Sequence, residues 1–177
     1  MRKQHFKPVS GEHPDFIIFS LSATVAGYQL AFRLNGKLGL NLARKPDLKV
    51  FEMGTTKLYE FYFSCNDQNT EYYLIKELAA GQQLMNHYFL LVRNFFGESQ
   101  IKQLLDGAAG IAEMFEINRL ELSQDTSPKS GNKKMKERIQ ALLIDLEYHM
   151  TEIKQQENQH KVKLHSKPTS IKKLYSR

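Results

Sequence analysis

The run HYFLLV at 87–92 is apolar on both faces of an extended chain. Alternate residues of a strand point to opposite sides, so a strand with one side open to water is apolar on one side only. A run that is apolar on both belongs inside a sheet, between neighbours. Asn86–Arg93 is therefore predicted as a central strand. Lys57–Cys65 shows the contrasting pattern, with Tyr59, Phe61, Phe63 and Cys65 on one face and Leu58, Glu60 and Tyr62 on the other. Further strands are predicted at Phe16–Leu21, Leu48–Met53 and Glu71–Glu77. Gly54 and the NDQN run at 66–69 separate them with turn chemistry, since Gly, Asn and Asp tolerate left-handed backbone.

A helix is expected after the first strand, capped by Ser22 or Thr24, because Gly27, Leu30, Ala31, Leu34 and Leu38 recur at helical spacing. Gly39 ends it. GES at 97–99 opens a second helix with Ile101, Leu104 and Leu105 inward, and IAEMFEIN at 111–118 follows as a closing strand. In that strand Ile111, Glu113, Phe115 and Ile117 would share one face. The order β-α-β-β-β-β-α-β predicts an α+β fold, a mainly antiparallel sheet with helices on one face, as a two-layer sandwich.

Past residue 122 the hydrophobic period changes. SQDTSPKSGNKK, 123–134, reads as a polar linker. Met135, Ile139, Leu142, Leu143, Leu146, Met150 and Ile153 then recur at steps of three and four, which predicts an amphipathic helix over 135–157 as a C-terminal helical extension. The remaining divisions are a flexible N-terminus (1–13), the α+β domain (14–122) and a basic tail (158–177). Charge follows the same division. Residues 1–126 carry 13 Lys or Arg and 14 Asp or Glu, net −1, whereas 127–177 carry 12 and 5, net +7. The isoelectric point of 9.3 therefore describes the extension and not the domain.

One cysteine, Cys65, excludes an intramolecular disulfide and suits a reducing, cytoplasmic compartment; it reads as a small buried hydrophobe on its strand. The stretch 16–32 is too short and too polar to span a bilayer, which takes about 20 mainly apolar residues. Asp15 beside it argues against a signal peptide, so no membrane partner is expected. The six histidines, at 5, 13, 87, 149, 160 and 165, lack ligand spacing, and neither a metal nor another cofactor is expected. The glycines of NGKLGLN follow a helix and so cap it without cradling phosphate.

Tyr59, Phe61, Phe63, Tyr72, Tyr73, Tyr88 and Phe89 have few interleaved cations, and they read as core rather than as a base-stacking platform. Glu113 could serve as an acid or base if it were buried alone. At the rim of a closing strand it reads as structural, reaching solvent or a cation such as Lys102.

IAEMFEIN resembles the signature of the IPExxxVDY family of bacterial proteins. Ile111 and Glu113 match it and Ile117 stands for Val, while Ala112, Asn118 and Arg119 depart from Pro, Asp and Tyr. GYQLAFRLNGKLGLNLARKPDL (27–48), YYLI (72–75) and YFLLV (88–92) resemble that family's pattern in the same order. The likeness covers about residues 14–122 and implies a compact cytoplasmic α+β protein with no assigned activity. The basic extension lies outside it.

No nucleophile–base constellation is legible, so the chain is expected to be a non-catalytic interaction protein rather than an enzyme. Its expected contact surface for a protein partner is the helical stripe Ile139, Leu142, Leu146, Met150 and Ile153. The alternative is an RNA-binding accessory factor. In that reading Lys161, Lys163, Lys167, Lys172, Lys173 and Arg177, with no acidic residue among them, neutralise phosphates without reading bases. An enzyme is the third reading.

Overall fold

The computed structural model describes residues 16–52, 54–78, 84–120 and 130–165, the side chains at 130–133 and 157–165 excepted. The predicted N-terminal segment and most of the predicted linker lie outside the described residues. The elements are β1 (Phe16–Ala23), α1 (Gly27–Leu38), β2 (Ala43–Glu52), β3 (Thr55–Cys65), β4 (Glu71–Glu77), β5 (Asn86–Arg93), α2 (Glu98–Ala109), β6 (Met114–Leu120) and α3 (Ser130–His165). The fold is α+β, as expected. Its six-stranded sheet has the order β2-β3-β4-β5-β1-β6, and the pairs β3–β4, β4–β5, β5–β1 and β1–β6 are antiparallel.

The chain divides into two compact units. The first comprises Met1–Asp47 and Lys57–Ser127. In it β5 is central, as its two-sided apolar pattern requires. Leu90 stands opposite Leu74 and Phe19, and Leu91 opposite Tyr73 and Ile18. α1 and α2 cover one face. Leu30, Ala31 and Leu34 of α1, with Ile101, Leu104 and Ala108 of α2, form one core with Phe19, Leu21, Leu74, Leu90 and Val92. On the other face the rings of Phe16, Phe61 and Phe63 gather about Tyr73, with centroids 5.9, 6.2 and 5.2 Å away.

The second unit comprises Leu48–Thr56 and Pro128–Arg177. Here Leu48, Val50 and Glu52 alternate inward and are buried, while Lys49 and Phe51 point outward. The Phe51 N–H donates to Asp145 Oδ2 at 2.8 Å, and Arg138 Nε lies 3.7 Å from Glu52 Oε2. Both α3 side chains thus engage the end of β2.

Several boundaries differ from expectation for identifiable reasons. β2 begins at Ala43 and includes Pro46, which an edge strand tolerates because one of its sides needs no ladder donor. The N-cap of α1 is Ala26. The Gln29 side chain accepts from its N–H at 3.1 Å, while Ser22 Oγ is engaged with His87 Nδ1 at 3.2 Å, so neither predicted cap is used. α3 starts within the predicted linker and runs on into the predicted tail, 36 residues or about 54 Å.

β6 starts later than predicted, with Ile111 buried in the turn before it. The register shifts between Ser22 and Ala23, so that Ala23 pairs with Met114, Ser22 pairs with Glu116, and Phe115 is the extra residue of a β-bulge. Met114 and Ile117 consequently pack toward the helices, and Phe115 is 64% exposed.

One end of the sheet is tied by side chains. The Thr70 hydroxyl, fully buried, donates to Asn94 O at 3.1 Å. Gln100 on α2 donates to Thr70 Oγ1 and to Tyr72 Oη, and its Oε1 accepts from Phe96 N–H at 2.7 Å. Gln100→Ala leaves these partners unmatched and should destabilise the fold by about 1–3 kcal/mol in urea unfolding. A change below about 0.5 kcal/mol would show that water replaces the amide there.

Candidate functional site

The expected contact stripe, Ile139, Leu142, Leu146, Met150 and Ile153, is buried within the chain. Among the described side chains of α3, the large apolar ones left exposed are Met135, Ile144 and Tyr148. Of the expected phosphate contacts, Lys161 and Lys163 fall within α3, their side chains undescribed, and Lys167, Lys172, Lys173 and Arg177 lie outside the described residues.

Glu113 sits in the turn before β6, not on the strand. Its Oε1 is 2.5 Å from Arg33 Nη2 of α1, so its cation comes from that helix and not from Lys102 on α2. Cys65 is exposed at the end of β3, contrary to the expected buried thiol, with its Sγ 3.6 Å from Asn66 O. The strand aromatics named above are buried, except the half-buried Phe63.

One grouping of charged and phenolic side chains was not singled out in the sequence. On the helix-facing side of the sheet, Glu60 of β3 stands opposite Lys76 of β4, which stands opposite Tyr88 of β5. Tyr62, two residues along β3 from Glu60, donates its hydroxyl to Glu60 Oε1 at 2.6 Å. Arg44 of β2 places Nε 3.8 Å from the same oxygen and its guanidinium 5.5 Å from the Tyr62 ring centroid. Lys76 Nζ stands 5.8 Å from the Tyr88 centroid. Tyr88 in turn donates to Val25 O at 2.6 Å, just ahead of α1, and Asn86 Nδ2 donates to the same oxygen at 3.0 Å.

Gly27, the first residue of α1, makes room for this group. A Cβ there would lie 2.7 Å from Glu60 Cδ. The carboxylate therefore rests on the helix N-terminus, where α1 has no acidic residue of its own. That position favours negative charge, because the first N–H groups of a helix point outward unpaired. The sequence signal was Glu60 itself, a carboxylate flanked at i±2 by Leu58 and Tyr62 on the helix-facing side.

The arrangement fixes an anion and orients two phenols. Burial, then the Glu60 hydrogen bond and charge, hold the Tyr62 phenol well above its ordinary range, and burial followed by the Glu60 charge does the same to Tyr88. Tyr73 is raised by burial and by its hydrogen bond to Glu71, and Tyr72 by burial, partly offset by Gln100. Among the described residues no three or more His, Cys, Asp or Glu side chains are grouped so as to hold a metal ion.

A phenol with a raised pKa in the folded state favours its protonated form there. Its stabilising contribution is complete below the unfolded phenol value of about 10 and is lost as pH rises above it. Stability should therefore fall steeply above about pH 10. In Glu60→Gln, phenolate absorbance should appear at lower pH than in the parent chain, and an unchanged titration would remove Glu60 from the network. The Arg33–Glu113 pair is partly exposed, so a double-mutant cycle with alanine at both positions should give a coupling of about 0.2–1 kcal/mol. A coupling indistinguishable from zero would remove the pair from the support of the fold.

Compared with protein-family models, with curated proteins and with solved structures, the chain matches none.

Proposed function

We propose that this chain is an interaction protein that meets another protein through α3. The observation that supports the reading is the two-sidedness of that helix. Its buried stripe is centred on Ile139, Leu142, Leu146, Met150 and Ile153. Ile144 and Tyr148, one turn apart and 53% and 68% exposed, lie on the opposite side at 100° per residue. A helix already anchored along one side presents that second side without having to fold on binding, so little ordering entropy opposes a contact there. The family likeness supports placing the chain with the IPExxxVDY proteins, and the single cysteine supports a reducing compartment. No helix among the described residues is long and apolar enough to cross a membrane.

The excess of cations beyond residue 126 favours a second reading, RNA binding through the tail. A photo-crosslinking residue at Tyr148, used in cells with and without nuclease treatment of the extract, separates the two. Polypeptide adducts that persist after RNA is destroyed, and that Ile144→Asp removes, are the expected result. Adducts that vanish with RNA favour the tail reading, and the lack of any polypeptide adduct overturns a contact through α3.

A further inference from the structure

The two edges of the sheet are unlike. β2 carries Arg44, Lys45, Pro46 and Lys49, and the Phe51 N–H is capped by Asp145. Cations, a proline and a covering helix are the usual means by which an edge strand is kept from pairing with another chain. β6, at the other edge, has neither Lys nor Pro in MFEINRL, its one cation, Arg119, is turned to Glu98 of α2, and no helix side chain caps its outer backbone among the described residues. Among the described residues no strand pairs with its outer side. Its bulge at Phe115 ends regular pairing there and leaves Glu116–Leu120 as a straight edge. An unpaired row of backbone donors and acceptors is complementary to one kind of occupant, another extended strand.

The geometry points to a second copy of this chain as that strand, with β6 pairing antiparallel to its equivalent about a two-fold axis at Ile117. This inference is independent of α3. It follows from which side chains share a face. Ile117 and Arg119 stand opposite Leu21 and Phe19 and so lie on the helix-facing side, whereas Glu116 and Asn118 stand opposite Ser22 and Ser20 on the other.

Centring the pair on Ile117 sets Glu116 across from Asn118 of the second copy, and Asn118 across from its Glu116. These are the same two groups that already bond within one strand, Asn118 Nδ2 to Glu116 Oε1 at 2.6 Å. On the helix-facing side Ile117 meets Ile117, while the Arg119 guanidinium stays with Glu98 of its own chain, 3.3 Å from Oε1. No like charges oppose one another. Shifting the axis to Glu116 sets carboxylate against carboxylate, and shifting it to Asn118 sets Ile117 against Arg119, so self-pairing selects one register. The interface is short and favours a reversible dimer.

Sedimentation velocity on the full chain, over a concentration series from low micromolar to near millimolar, tests this. A concentration-dependent dimer of the 20.5 kDa chain is expected, with amide exchange slowing in 116–118 as the dimer forms. Asn118→Glu faces carboxylate with carboxylate at two exposed positions and should abolish the dimer while the monomer stays folded by circular dichroism. The double variant E116K/N118E reverses one sign and should restore it. A chain that stays monomeric throughout, or a dimer indifferent to N118E, would overturn the proposal. Exchange that slows only when lysate is added would assign the edge to a strand from a different protein and overturn it equally.

Discussion

The structure depends on β5 lying between β4 and β1 with apolar side chains on both of its faces. Tyr88, Leu90 and Val92 pack beneath the two helices while Phe89 and Leu91 are buried on the other side, so a one-residue slip would exchange the two sets. Antiparallel ladders on both edges hold that register. Everything else in the first unit is arranged around this strand. α1 and α2 bury the face that Leu90 helps to form, and Tyr73 gathers rings on the reverse face. Polar side chains fasten the sheet to its helices where α1 and α2 begin.

The two fastenings differ in kind. Around Thr70 and Gln100 the groups are neutral, and they fasten the start of α2 to the β3–β4 turn and to the exit of β5. Around Glu60 the groups are charged, and a carboxylate, a guanidinium and two phenols meet at the start of α1. The second grouping works only because position 27 lacks a side chain. A methyl there would improve helix propensity and yet push the carboxylate off the helix terminus. Helix start and acid–phenol pair are therefore one device, in which a strand side chain supplies the negative charge that the helix's own first turn lacks.

The contrast between the sheet edges bears on function in the same physical terms. A sheet that remains open must end in two strands with unpaired backbone, and here one is charged, interrupted by proline and capped from α3. The other has neither Lys nor Pro, sets Glu116 and Asn118 on either side of Ile117, and carries a bulge that limits pairing to one short stretch. The exposed apolar side chains Met135, Ile144 and Tyr148 of α3 belong to the second unit.

Local pattern determined much of this protein. The period-two alternation of Lys57–Cys65, the two-sided apolar run at 87–92 and the glycines at 39, 54 and 97 were enough for the order of elements and the central place of β5, because each expresses a constraint confined to a few neighbouring residues. The inward face of α3 was legible for the same reason, and so was its amphipathic character, although where that face would be buried was not. What only the tertiary structure decided depends on residues distant in sequence. The bulge that turns Phe115 outward comes from pairing with Ser22 and Ala23, some ninety positions earlier. The cation for Glu113 comes from α1, and the site at Glu60 exists because Gly27 and Arg44 arrive beside it from two other elements. A residue's neighbours in sequence set its conformation and its face, whereas its chemical partners are set by which elements the packed core brings together.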